Sequence, residues 1–483
     1  MYVIAAVILI LIVLTARLAN KLSLPLILIS LALGILFGSD VLGLVYFDDA
    51  VFAKQIADTA LIFILFVGGF GTKKENLRLV MAPALILASL GVIITAIITG
   101  VSLSFFLSYS FSIALLLGAI IASTDAAAVF SILRTRSLPV RLTALTEIES
   151  ATNDPMAILL TTFMIQFLTS RVISPFQIGL SFLWQLTGGI LIGILIGKIG
   201  CFLFVRTKAN DKGYFYILIF GIVLLSFGLA DILRASGMLS AFFAGYVMGN
   251  NAFPFKRNVK TFLDALSTIG NVTIFVLLGL LVFPKEFSAI WFQGIVLFLI
   301  LTFVARPITV FLLTAFSKKI SKRERLFLSW GGLRGAVPVV LATYPAAANM
   351  ANASDIFNVV FFAVTLSIIV QGLSLSKMAD LLKLTIKATP KPDQVMELVT
   401  IHESELELYE LHIDNDKYLG NATISSFNLP SDTTISMINR KEKIIAPKGS
   451  TVVFPGDTLF ILTHNQNVEN VLAEILSHYT KTN

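Results

Sequence analysis

The sequence predicts a polytopic α-helical membrane protein of 13 transmembrane helices, with inverted repeats and two interrupted helices, followed by a small cytoplasmic α+β domain. Three observations carry this reading. Of 483 residues, 56% are hydrophobic and 13% charged; soluble domains carry about 25% charged residues, so lipid solvates most of this chain. Apolar runs near the roughly 20 residues that a spanning helix needs recur as far as residue 376. Charge is also segregated, with 29 Lys/Arg against 16 Asp/Glu in residues 1–389 and 7 against 13 in residues 390–483.

Breaks rich in charge, Pro or Gly divide the apolar region into segments 1 to 13, at 2–16, 24–38, 56–71, 79–107, 111–133, 140–169, 178–205, 213–230, 236–250, 262–283, 288–316, 325–348 and 355–376. Met1–Leu14 has no charged n-region and no small-residue cleavage site, so it reads as a retained first helix. The breaks after odd-numbered segments hold 22 Lys/Arg, among them Lys73, Lys74, Lys256, Lys260 and Lys322; the other side holds Lys54, Arg171, Arg234 and Lys285. The positive-inside rule then puts the N-terminus outside and the tail in the cytoplasm of a multi-pass inner (plasma) membrane protein.

After Pro390–Pro392 the character changes. VMELVTIHE, LELYELHI, TTISMIN, IIAPKGSTVVF and DTLFILT are β-rich runs broken by Gly, Pro and Asn, and 466–479 has apolar residues at helical spacing. The expected organisation is a transmembrane domain at 1–385, a linker at 386–394 and a cytoplasmic domain at 395–483.

Several function classes lose ground on these grounds. A pI near 9.3 would suit nucleic acid, but the positive charges sit in short loops between spans. Cys201 alone excludes a disulfide framework or Cys-rich metal site. All four histidines (His402, His412, His464, His478) fall in the tail, leaving no Ser–His or metal–His chemistry in the membrane. No Walker A motif is present to drive pumping by ATP, and no cofactor is implied. The alternative to a transporter is a cation channel or uniporter gated by the tail, although no filter-like repeat of backbone carbonyls is present.

Two segments are interrupted. Segment 5 carries Ser123-Thr124-Asp125 in its middle, and segment 12 carries Gly331-Gly332-Leu333-Arg334-Gly335-Ala336-Val337-Pro338. Backbone loosened in this way must face protein or water, because lipid offers no hydrogen bonds. The two segments are seven apart, so they cross in opposite directions, the pattern that points to a transporter's binding site.

Segment 6 adds Glu149 and Asn153, and Ser150 and Asp154, each pair four apart on one helical face. Pro155 removes one backbone donor and frees a carbonyl near Ala151. Asp154 lies ~20 Å along its helix from the cytoplasmic end, and Asp125 is similarly deep from the other end. An acid in hydrocarbon is a functional candidate by default. Such a carboxylate holds a proton or a bare monovalent cation, and hard oxygens from Asp154, Asp125, the Thr124 carbonyl and the Ser150 hydroxyl suit an alkali cation at Asp154 and Asp125. Asp125 could instead cap a half-helix, and Glu149 and Arg334 are expected to neutralise each other. Glu147 reads as an entrance carboxylate or a partner for loop arginines. Arg306 is expected to snorkel to the inner surface, and Asp58, Asp231 and Asp264 to be interfacial.

Ser123-Thr124-Asp125, Glu149-Ser150-Ala151-Thr152-Asn153-Asp154 and Gly331-Gly332-Leu333-Arg334-Gly335-Ala336 together resemble the monovalent cation:proton antiporters, NhaP-like branch, over about residues 1–380. The resemblance implies a secondary antiporter of K⁺ and/or Na⁺ for H⁺, with Asp154 as the shared carboxylate and Asn153 its polar neighbour. Thr124, Asp125 and Ser150 would complete the site, and Glu149 would pair with Arg334. It also implies a homodimer with a mobile core domain, and for an Asn-Asp pair, electroneutral 1:1 exchange. One departure is Val67, in ILFVGGF, where relatives often place an acidic residue.

The tail resembles the C-terminal subdomain of RCK (TrkA-C type) potassium-regulatory modules through Ile438-Asn439-Arg440, Pro447-Lys448-Gly449 and Pro455-Gly456-Asp457-Thr458-Leu459. No Gly-rich Rossmann fingerprint precedes it, so NAD binding is not implied. That likeness implies dimerisation, a cyclic di-nucleotide as regulatory ligand in some members, and a tilt toward K⁺ as substrate.

Overall fold

The computed structural model describes residues 2–22, 26–133, 138–169, 175–207, 212–315, 317, 320–385, 394–396, 406–413, 422–440, 443–464 and 467–477. These fall into two compact units, Met1–Ile386 and Lys387–Asn483. The expected linker 386–394 lies almost entirely outside the described residues, as do Arg134, Arg136, Arg171, Lys208, Lys318, Lys319 and Lys387 of the loop-charge count.

Each of the 13 apolar segments coincides with one helix or one interrupted helix. By length and composition, seven of the described helices suit a membrane crossing, and five shorter apolar helices accompany them. Segment 6 is the helix Val140–Thr169, which carries Glu147, Glu149 and Asp154. The interruptions fall where the sequence puts them. Segment 5 is Phe111–Ile120 and Ala126–Ile132, and segment 12 is Lys322–Trp330 and Ala336–Leu341 followed by Tyr344–Ala347. Segments 11 and 13 each contain a π-helical stretch, Ile300–Ala305 and Ser367–Gln371, a wider turn that sequence periodicity does not reveal.

The helices sort into two panels. Segments 1, 2, 3, 7, 8, 9 and 10 pack on one another, and segments 4, 5, 6, 11, 12 and 13 form the second group, which holds both breaks. The first panel packs through small residues. A Cβ on Gly34 of segment 2 would lie 2.9 Å from the Gly279 Cα of segment 10, so neither helix tolerates a side chain at that crossing. Segments 4–6 and 11–13 are two sets of three spaced seven apart, the arrangement expected of repeated halves. Segments 3, 6, 10 and 12 meet between the panels.

The tail is a five-stranded antiparallel sheet of β1 (Gln394–Met396), β2 (Leu406–His412), β3 (Thr434–Arg440), β4 (Lys443–Ile445) and β5 (Thr458–His464), in the order β1-β2-β5-β3-β4. Alternating apolar residues of the central strands, such as Leu459 and Ile461 on β5, form its core with Val471, Leu472 and Ile475 of the helix Val468–Ser477. Gly456, at φ +85°, makes the turn into β5 and delivers Asp457 to Arg440. That pair is bidentate, with Nε to Oδ1 and Nη2 to Oδ2 both 2.8 Å.

Candidate functional site

The two breaks lie against each other. The Asp125 N–H donates to the Leu333 carbonyl at 2.8 Å, and Arg334 Nη1 donates to the Ala122 and Ser123 carbonyls at 2.7 and 2.5 Å. Each interruption thus supplies partners for backbone groups that the other has freed. Gly335 permits the approach: a Cβ there would lie 2.6 Å from both Cβ and Cγ of Asp125, and would collide with its Oδ2.

Segment 6 holds the segment 5 break from its other side. The Ser150 hydroxyl donates to the Thr124 carbonyl at 2.8 Å and accepts from the Ala126 N–H at 2.9 Å. Asn153 Nδ2 donates to Thr124 Oγ1 at 2.7 Å while its Oδ1 accepts from the Thr124 N–H at 3.3 Å. Both side chains are buried; three residues apart they share a helical face, whereas the sequence pairs Glu149 with Asn153 and Ser150 with Asp154. Asp125 accepts from the Ala128 N–H through Oδ1 at 3.0 Å, so it does cap the half-helix Ala126–Ile132. The Ser150 hydroxyl and Thr124 carbonyl, expected as free cation ligands, bond each other and have only their remaining lone pairs to offer.

Asp154 is half-buried, and its electrostatic neighbours are the Asp125 carboxylate, the Ser123 hydroxyl and the Arg334 guanidinium. Asp154, Asp125, Thr124 and Ser150 line one cavity of about 360 Å³, together with Val67 and Asn271 from the other panel. Glu147, two turns before Asp154, lines the same cavity and feels the charges of Lys73 and Lys260. A second cavity of about 950 Å³ lies further along the same helices. Along segment 3, Asp58 lines the larger cavity and Val67 the smaller; along segment 6 the corresponding residues are Thr162 and Asp154. Tyr344 stands at the larger cavity, its hydroxyl donating to Asp58 Oδ1 at 2.5 Å, with Lys54 Nζ 2.6 Å from Asp58 Oδ2 and 4.4 Å over the tyrosine ring.

Two expectations are corrected. Glu149 and Arg334 are not a contact pair: Glu149 Oε1 lies 2.6 Å from Arg306 Nη1, and Arg334 is engaged by the carbonyls of the segment 5 break. Glu149 stays within electrostatic reach of Arg334. Arg306 does not snorkel to the surface but is 5% exposed inside the bundle. It follows the π-helical stretch of segment 11, whose wider turn changes the direction in which the next residues project. Asp58, expected at an interface, is tied to Tyr344 across the two panels.

Sequence reasoning missed three further side chains. Ser367 Oγ accepts from the Arg334 N–H at 3.3 Å and donates to Gln371 Oε1 at 2.5 Å, and Gln371 Nε2 donates to the Trp330 carbonyl at 3.1 Å. Both sit in the π-helical stretch of segment 13 and brace the segment 12 break. Asn271 is the third, a lone amide in the apolar half of segment 10; its position was the signal available.

The family model for the transmembrane sodium/hydrogen exchanger matches residues 7–380, and that for the TrkA-C domain residues 408–476. The chain is 35% identical over 476 residues to a K(+)/H(+) antiporter NhaP2 of Shewanella sp. (strain ANA-3), covering 97% of this chain and 82% of that one. It is 32% identical over 470 residues to a K(+)/H(+) antiporter NhaP of Alkalimonas amylolytica, covering 96% and 82%. Among solved structures, the sodium proton antiporter MjNhaP1 from Methanocaldococcus jannaschii superposes with a TM-score of 0.68 at 25% identity, covering 78% of this chain and 97% of that one.

Proposed function

This chain belongs to the sodium/hydrogen exchanger family and carries a TrkA-C domain, and from that premise we propose that it exchanges K⁺ for H⁺ across a membrane, with Na⁺ as the competing substrate. The observation that carries the proposal is one cavity lined by Asp154, Asp125, Thr124 and Ser150, where two broken helices meet in the middle of a helical membrane bundle. Asp154 holds either a proton or a cation. A proton and a monovalent cation each neutralise the same single carboxylate charge, so each occupant displaces the other. With Asn153 uncharged and engaged at Thr124, one carboxylate titrates per cation, which gives electroneutral 1:1 exchange. No covalent step is involved, and no cofactor.

Under the topology read from the loop charges, the 360 Å³ cavity faces the cytoplasm and the 950 Å³ cavity the outside. The Tyr344–Asp58–Lys54 cluster then closes the outer path, and exposing Asp154 to the outside requires its parting as the second panel moves against the first. The first panel is the scaffold of a homodimer in the cell's inner membrane. The tail pairs with its copy and adjusts exchange on binding a small ligand, a cyclic di-nucleotide by its resemblance. The K⁺ preference draws support from the names of the two relatives described above.

The test uses everted vesicles from a host lacking its own exchangers, with a lumenal acid gradient reported by a pH dye. KCl and NaCl are added separately across a pH series, with an Asp154→Asn control. Collapse of the gradient by K⁺, absent in the control, supports the proposal. Cation current without proton movement would favour a tail-gated channel instead.

A further inference from the structure

The cavity has a second wall, contributed by segments 3 and 10. Segment 3 offers apolar residues there, Leu61, Ile64, Leu65 and Val67, with glycines. From segment 10 comes one polar side chain, Asn271. It stands fifteen residues into the helix Lys256–Leu280, and Asp154 stands fourteen residues into Val140–Thr169. At 1.5 Å per residue these are depths of about 22 and 21 Å. Both helices start from the same side in the topology proposed above, and amide and carboxylate line the same cavity.

The amide orientation is fixed by chemistry. Asn271 Nδ2 donates to the Ser267 carbonyl at 3.0 Å, and only the NH₂ end can serve a carbonyl. Oδ1 accepts no hydrogen bond among the described residues, which leaves an unengaged oxygen on a cavity-lining side chain. The neighbouring Gly270 keeps the helix tight against segment 3, since a Cβ there would lie 3.2 Å from the Ala60 Cβ. The oxygen is therefore held in position. A lone amide at mid-membrane depth is costly to keep in an apolar stretch, which argues for a use.

We infer that Asn271 Oδ1 is the cation ligand facing Asp154, and that it sets the preference for K⁺ over Na⁺. The inference rests on the exchanger reading proposed above. An amide oxygen carries a partial charge and a carboxylate a whole one. Ligands of lower field strength offset less of the large dehydration cost of the small Na⁺ and suffice for the more weakly hydrated K⁺. A wall holding Val67 and one amide, with no carboxylate, has that character.

The experiment measures half-saturating K⁺ and Na⁺ for pH-dye exchange in proteoliposomes of the full-length protein. Asn271→Leu removes the oxygen. Asn271→Thr also removes Oδ1, yet keeps a hydroxyl that can back-bond to the carbonyl four residues earlier, so it decides the matter where the leucine variant does not fold. Both are expected to raise half-saturating K⁺ at least fivefold, with a smaller change for Na⁺. Asn271→Asp is expected to move the K⁺/Na⁺ preference at least fivefold toward Na⁺. A preference within twofold of wild type in folded Thr and Asp variants, with Asp154→Asn silent, would overturn the role of Asn271 and leave the exchanger reading standing. A wild-type protein that exchanges neither ion would overturn both.

Discussion

Replacing Gly335 by alanine tests whether Asp125 takes part in cation binding beyond its capping role. The glycine has φ −115°, a value any residue adopts, so the effect of a side chain is steric. The new methyl would sit 2.6 Å from two carbons of Asp125. Carbon atoms rest ~3.5–4.0 Å apart, so the carboxyl has to retreat by about 1 Å. Retreat stretches the 3.0 Å bond from the Ala128 N–H, a cap worth ~1 kcal/mol. Overpacking adds ~1–3 kcal/mol. If the cation binds only when Asp125 is in place, a combined ~2–4 kcal/mol corresponds to ~30- to 700-fold weaker apparent affinity at 1.4 kcal/mol per tenfold. Relaxation of the break reduces this, and a rise in half-saturating K⁺ of at least tenfold is the expected result. Dye-reported exchange in proteoliposomes measures it, with Gly221→Ala in segment 8 as control, because a Cβ there meets no described atom beyond its own helix within 4 Å. A folded Gly335→Ala protein with half-saturation within threefold of wild type would refute the reasoning and leave Asp125 as a cap alone.

Other consequences can be measured independently. A double-mutant cycle on Glu149→Gln and Arg306→Gln, read by thermal unfolding in detergent, should show a coupling of ~2 kcal/mol or more, since breaking a buried pair costs ~3–5 kcal/mol; the Glu149–Arg334 cycle should couple less. Tyr344→Phe deletes a hydrogen bond to a charged group worth ~1.5–3 kcal/mol, which should shift the protein toward the outward-open state. Labelling of Val67→Cys by an impermeant maleimide from the cytoplasmic side, in a Cys201→Ser background, should slow at least threefold; an unchanged rate would argue against closure of the outer path by the Tyr344–Asp58–Lys54 cluster. Asp457→Ala leaves Arg440 and the Phe454 N–H without their shared carboxylate. It should lower the tail's melting temperature while everted vesicles carrying the variant still exchange; an unshifted melt would contradict the assigned role of the pair.

Much of this architecture is legible in the sequence, because lipid constrains it strongly. Apolar length marked the 13 segments, the polar run Ser123-Thr124-Asp125 marked one break, and the Gly- and Pro-rich run 331–338 marked the other. Four-residue spacing put Ser150 with Asp154, and the structure adds that Ser150 and Asn153 fasten the segment 5 break. What the sequence withheld depends on rotation about helix axes. Glu149 needed a cation, and Arg334 and Arg306 both stood in apolar surroundings. The choice between them rests on a π-helical stretch that apolar periodicity does not encode. Ser367 and Gln371 were invisible for the same reason. Asp58 and Tyr344, 286 residues apart, meet only because segments 3 and 12 face each other between the panels.

The central claim is that proton and cation compete for Asp154, and proton release on cation binding measures it most directly. Purified protein in weakly buffered detergent solution is titrated with KCl across a pH series, with choline chloride as the ionic-strength control. The account predicts a pH range in which K⁺ releases up to one proton per chain, and no release from Asp154→Asn at any pH. Saturable K⁺ binding without proton release, or release of equal size from the asparagine variant, would contradict it.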